Sequence, residues 1–185
     1  MEMKKGLIVG LGNILDGDFG VGCYILEALG RGSLGDGVEL AYLGDDPRCA
    51  AGLVYGMDFV IVVSAFSLGG PVGKVYIWPY RVFKQHLSWI VAKHRVIRGL
   101  VQALATAELA RGFPTEILFI WIEPRVIEGL GLCPEVRKAM WKVVGIIKEK
   151  LVEKRLLQRE NLQVSPFLSI EAIAAGTLAS RKVGV

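Results

Sequence analysis

The stretch Gly6-Leu-Ile-Val-Gly-Leu-Gly-Asn-Ile-Leu-Asp-Gly-Asp-Phe-Gly-Val-Gly22 admits few folds. It opens as an apolar run without polar alternation, which is how a parallel strand buried on both faces reads. It then breaks into a loop carrying Gly10, Gly12, Gly17, Gly20 and Gly22, with Asn13, Asp16 and Asp18 among them. The amphipathic stretch Val21 to Leu29 follows. Strand, glycine loop and helix in this order begin an open α/β sheet, in which ligands sit off the carboxyl ends of the strands. Any chemistry is to be sought first in this loop.

The remaining chain continues the alternation. Val38 to Leu43 reads as a second strand, ended by Gly44-Asp45-Asp46-Pro47. Pro47 at a first helical position, with Asp46 as its N-cap, opens a short helix towards Val54. Phe59-Val-Ile-Val-Val63 is a third strand. The link Ser64 to Pro71 is too short for a helical crossover, so a fourth strand, Val72 to Trp78, must run antiparallel to the third if the two pair. An edge is the usual place for it. Arg81 to Ala92 reads as a loop with some helical character. Arg95 to Arg111 is a helix, because Ile97, Leu100, Val101, Leu104 and Ala107 share one face; Gly112 and Pro114 stop it. Ile117 to Ile122 is a fifth strand. Pro134 opens a long helix whose buried stripe is Val136, Met140, Val143, Ile147 and Leu151; Lys138, Lys142, Glu149, Lys150 and Glu153 form its solvated face.

These elements sum to an α/β fold: three layers, α/β/α, around a mostly parallel five-stranded sheet carrying one antiparallel strand, over residues 1–155. Residues 156–185 form a C-terminal extension, broken at Ser165-Pro166 and helical in part from Ile170 to Leu178. It could cover the chain's own surface, pair two copies into a homodimer or reach a partner.

A chain of 185 residues buries a sizeable core as one domain. Its mean hydropathy is high, at +0.45, yet no apolar run reaches the roughly 18 residues of a membrane span. The start, Met-Glu-Met-Lys-Lys, has no signal-peptide pattern, which places the chain in the cytoplasm. Cys23, Cys49 and Cys133 are far apart and odd in number, so they make neither a disulfide framework nor a zinc pattern. The net charge of +4 is mild and most of the surplus lies in one helix, which is a weak argument for nucleic acid, and no nucleic-acid partner is expected. Few Asn and Gln beside many Val, Ile, Lys and Glu hint at a thermophilic source.

The opening loop is not a dinucleotide fingerprint. G-x-G-x-x-G needs its third glycine at Leu15, and Gly17 comes too late. Leu7 to Asn13 also resembles peptidyl-tRNA hydrolase, but that family continues with Pro and a Thr-Arg-His-Asn block, which this chain lacks. Gly10-Leu-Gly-Asn-Ile-Leu-Asp-Gly-Asp-Phe-Gly-Val-Gly22 instead resembles the hydrogenase maturation endopeptidases. The likeness continues through Asp58-Phe-Val-Ile-Val-Val-Ser-Ala65, the His94 region, Phe113-Pro114, Glu123-Pro124 and Gly131-Leu-Cys-Pro-Glu-Val136, about Gly6 to Leu151 in all.

This resemblance implies an endopeptidase that trims the C-terminal extension of a nickel–iron hydrogenase large subunit after metal insertion. The nickel belongs to the substrate, and the partner is the large-subunit precursor. The family's three metal-binding positions fall on Phe19, Ser64 and His94, so one imidazole remains where the family has two further acids. A phenyl ring cannot coordinate a metal, and a neutral hydroxyl is a poor ligand. Asp18 survives from the family's acidic pair, either as a metal ligand with His94 or as an N-cap for the helix starting at Phe19. Asp45 and Asp46 stand near the family's Asp with a suspected catalytic role. Asp16, Asp18, Asp45, Asp46 and His94 could together rebuild a shifted metal site. Ser64, His94 and Asp45 or Asp46 could form a hydrolase-like triad if they stand within hydrogen-bond reach. Two functions stay open: a maturation endopeptidase, or a catalytically inactive relative that docks on a hydrogenase-like partner.

Overall fold

The computed structural model describes residues 4–125 and 128–158. In chain order it contains β1 (Gly6–Leu11), α1 (Val21–Gly30), β2 (Val38–Gly44), α2 (Ala50–Val54), β3 (Phe59–Ala65), β4 (Val75–Pro79), α3 (Tyr80–Gln85), α4 (Leu87–Lys93), α5 (Arg95–Leu109), β5 (Glu116–Ile122) and α6 (Pro134–Glu153). Short 3-10 turns at Gly17–Gly20 and Pro47–Cys49 lead into α1 and α2. Among the described residues the strands form one five-stranded sheet in the order β2-β1-β3-β5-β4. β4 is its single antiparallel strand and lies at an edge.

Strand periodicity decides the layers. Ile8, Ile61, Val63, Ile120 and Ile122 face one side, where α1 and α6 cover them with Ile25, Leu29, Val136, Val143 and Ile147. Leu7, Val9, Val60, Val62, Phe119 and Trp121 face the other, under α2 to α5 with Val54, Phe83, Ile90, Ile97 and Leu100. Successive strand residues point to opposite faces, so the apolar runs of β1, β3 and β5 need cover on both. Each such buried Val, Leu, Ile or Phe contributes about 1.5–3 kcal/mol. The second layer is aromatic: Phe83 stacks on Phe119 at 4.0 Å and 13°.

β4 is an antiparallel edge strand as expected, and the partner it takes is β5, in the register Val75↔Ile122 to Pro79↔Leu118. β3 is already flanked by β1 and β5, so a strand placed beside it would have to displace one of them. Residues 80–93 are two helices, not a loop, since Phe83 and Ile90 bury completely and draw both turns onto the sheet. Helix α1 starts at Val21, and Asp18 does not cap it. The extension lies outside the described residues beyond 158; Leu156 and Leu157 still pack on the α1 and α6 layer.

Candidate functional site

From β1 the chain leaves over one face of the sheet through α1 to β2, then passes over the other face through α2 to β3. The carboxyl ends of β1 and β3 therefore part at a switch point, the place where open α/β sheets bind ligands. A crevice of about 160 Å³ lies there. Gly12, Asn13, Asp16 and Phe19 enter it from the loop after β1, Asp45 from just after β2, Ser64 and Ala65 from β3 with Phe66 next after it, and His94 from the N-cap of α5. A second cavity of about 500 Å³ shares Asp45 and adds Asp46, Arg48, Arg98 and Gln102.

The glycines of the opening loop serve packing more than a ligand. Gly12 has φ +103, and a Cβ there would sit 1.9 Å from the Phe19 carbonyl oxygen. A Cβ on Gly22 would meet the Leu11 carbonyl oxygen at 2.4 Å. Both positions let the loop and α1 close onto the end of β1, which needs residues without side chains. The Tyr42 hydroxyl donates to the Gly12 carbonyl at 2.5 Å and ties β2 to the turn.

Asp18 leaves the crevice. Its side chain is fully buried and lines neither cavity. One carboxylate oxygen accepts from the Cys133 N–H at 2.8 Å and the other from the Arg125 N–H at 3.0 Å. It thus joins the opening loop to the start of α6. Asp16, two residues earlier, is the acid of this loop that lines the crevice. Asp46 caps the turn at Pro47 as expected, accepting from the Arg48 N–H at 3.3 Å, and binds the Arg48 guanidinium through both oxygens.

His94 is half-buried at the N-cap position of α5 but its side chain makes no capping bond. Its ring leans on Phe66, centroids 4.0 Å apart. Burial first, and the neighbouring Lys93 charge second, push its pKa below the ordinary 6.5. The imidazole is therefore neutral at pH 7. The Ser64 hydroxyl donates to main-chain carbonyls, Ala65 at 3.2 Å and Leu11 at 3.5 Å. A strand-end hydroxyl spent in this way is not poised as a nucleophile. Among the described residues no three His, Cys, Asp or Glu side chains come close enough to hold a metal ion.

Phe66 has no signal in the sequence, and Glu123 stands there only as part of the Glu123-Pro124 segment, without a role. Phe66, next after β3, backs the histidine. Glu123, at the end of β5, is 3% exposed and binds the loop after β3. Its carboxylate accepts from the Leu68 and Gly69 N–H groups at 3.0 Å each, and from the Ser67 and Tyr76 hydroxyls. Burial acts to raise its pKa, but the amides of Leu68, Gly69 and Gly70 and the Ser67 hydroxyl outweigh it and hold it below the ordinary value. Glu123 so fixes the loop that continues β3 past Ser64.

A family model described as hydrogenase maturation protease matches residues 23–150. No curated protein sequence matches. Several solved structures do. The hydrogenase maturating endopeptidase HybD of E. coli superposes with a TM-score of 0.72 at 24% identity, over 81% of this chain and 93% of its own. The NiFe hydrogenase maturation protease HybD of Thermococcus kodakarensis gives 0.64 at 25%, over 79% and 98%. The hydrogenase 2 maturation peptidase of a Thaumarchaeota archaeon gives 0.61 at 29%, over 80% and 99%. With well over half its length matched by the family model and its sheet and helices shared with these structures, the chain belongs to the hydrogenase maturation protease family.

Proposed function

We propose that the protein is an endopeptidase of hydrogenase maturation that removes the C-terminal extension of a nickel–iron hydrogenase large-subunit precursor. The observation that carries this reading is the crevice at the β1/β3 switch point, which Asp45 and His94 both line within the family's fold. Amide hydrolysis needs a base to take the proton of the attacking water and an acid to protonate the leaving nitrogen. Asp45 is the carboxylate assigned to the first task, and once protonated it can serve the second. Asp46 holds the Asp45 turn through its cap and its pairing with Arg48. His94 faces the docked precursor as a neutral ring. Asp18 enters as the anchor of the opening loop and not as a ligand. Nickel enters with the substrate.

A second reading has its own observation. Phe19 and Ser64 occupy the crevice where the resemblance expects acids, which favours docking on the precursor without cleavage. One experiment separates the two. The protein is incubated with a nickel-loaded large-subunit precursor, and intact mass and co-elution are followed. Loss of the extension's mass supports the endopeptidase. An unchanged mass with a stable complex supports the docking relative, and an unchanged mass without a complex contradicts both.

A further inference from the structure

We infer that the outer face of α3 and α4 is a docking surface for an acidic segment of the partner protein, a stretch of Asp and Glu side chains beside the part that enters the crevice. The inference rests on the reading that the chain docks on a precursor, and it names the chemistry recognised outside the crevice.

The charge pattern carries it. From Phe59 to Ala107 the chain has six Lys and Arg and no Asp or Glu. Arg81, Lys84 and Lys93 of that run are exposed on α3 and α4, two helices separated by His86 alone. Arg81 and Lys84 stand three positions apart and share one side of α3. Among the described residues none of these three makes an ion pair. Two of them are steadied by rings: the Lys84 ammonium lies 5.4 Å from the Tyr80 centroid, and that of Lys93 lies 4.6 Å from the Trp89 centroid. Such a contact orients an ammonium without neutralising it, so less freedom is lost when a carboxylate arrives. Glu108 on α5 lies close enough to Tyr80 for its charge to act there, and marks one border of the face. The long helix α6 differs. Its Lys and Arg are interspersed with Glu135, Glu149 and Glu153, and Lys150 is already paired with Glu153.

The face is continuous with the crevice. Trp89 is 40% exposed and packs on Phe66, ring centroids 5.9 Å apart, and Phe66 lies 4.0 Å from His94 on the crevice wall. Phe83 and Ile90 bury completely and fix both helices on the sheet. Their apolar sides are thus spent inside the fold, whereas a helix that binds a bilayer must turn its apolar side to the lipid. A nucleic acid is charged along its whole length and would carry phosphates onto Asp16 in the crevice. A polypeptide can confine its acids to the stretch that lies on α3 and α4. Trp and Arg are also the side chains that dominate binding energy at protein interfaces.

The test uses the full chain and N-acetyl-hexaglutamate amide, titrated at about 20 mM salt while the Trp89 indole N–H and the backbone amides of α3 and α4 are followed by NMR. The expected result is saturable shifts there with a Kd of order 1 mM, weakened by about fivefold or more at about 150 mM salt. The hexaglutamine amide should give no saturable shift. Lys84→Gln with Lys93→Gln, at exposed positions that the fold tolerates, should weaken the acidic probe about fivefold and the nickel-loaded precursor about tenfold. Lys138→Gln with Lys142→Gln, on α6, should change neither. Probe shifts confined to α6, or no shifts at all, overturn the proposal, as does equal precursor affinity in the α3–α4 variant. So does tighter binding to this face of oligothymidylate at equal charge, which marks a nucleic-acid surface, or of phosphatidylglycerol vesicles, which marks a membrane surface. The probe assay involves no cleavage. Precursor processing without hexaglutamate binding therefore removes this inference alone, and hexaglutamate binding at α3 and α4 without processing leaves it standing.

Discussion

At the scale of single residues, acids close together in sequence have divided their work. Asp16 lines the crevice, while Asp18 is buried and holds two main-chain amides more than a hundred positions away. Hydrogen bonds from N–H groups to a buried carboxylate are among the stronger ones, and removing the acceptor strands both donors. Asp18→Ala should therefore cost about 3–5 kcal/mol, read as a lower denaturant midpoint with an unchanged slope. A loss under about 1 kcal/mol would remove Asp18 as the anchor. His94 makes the second prediction at this scale. Its ring should titrate below 6.5 by NMR, since burial and Lys93 oppose the charged form. With the folded pKa depressed, the unfolded chain takes up the proton first. Stability should then fall as pH drops below about 6.5, and His94→Phe should flatten that part of the profile. A pKa at or above 6.5 would contradict the half-buried, neutral ring.

At the scale of elements, most of the sheet was legible in the chain and its partnering was not. Continuous runs such as Val60 to Val63 announce a strand buried on both faces. The short Ser64 to Pro71 link correctly forbids a parallel return, but nothing local says that β4 will close on β5, which comes later in the sequence. The two helices at 80–93 were blurred because each is short and only Phe83 and Ile90 bury completely, too few anchors to show a helical period. The loop after β3 depends on Glu123 in the same non-local way. Its carboxylate gathers the amides of Leu68, Gly69 and Gly70 across the end of the sheet. Glu123→Ala should release that loop, with hydrogen-exchange protection at Leu68 and Gly69 lost well before the strands open. The folded pKa of Glu123 lies below its ordinary 4.5. Its contribution is thus complete above about 4.5 and disappears as pH falls through the lower folded value. Loop amides that stay protected in the Glu123→Ala protein would contradict the tether.

At the scale of the molecule, the sheet order fixes where chemistry can occur. The chain leaves β1 through α1 on one face and β3 through Phe66 towards α3, α4 and α5 on the other, and the crevice between the two strand ends collects residues from four places in the chain. The opening loop could be named in advance because its glycine spacing marks it, and His94 and Asp45 through the resemblance to the maturation endopeptidases. Phe66 acquires its place only when the strands assemble. Asp18 could not be told from a ligand in one dimension, since the amides that hold it belong to Arg125 and Cys133. Phe19 stands in the crevice where the resemblance expects a ligating acid.

The direct test of the account is a time course of precursor cleavage by intact mass, comparing the natural chain with Asp45→Asn. The account predicts release of the C-terminal extension from the nickel-loaded precursor by the natural chain, slowed by about 100-fold or more in Asp45→Asn. A precursor of unchanged mass under excess protein, with the complex formed, would contradict it.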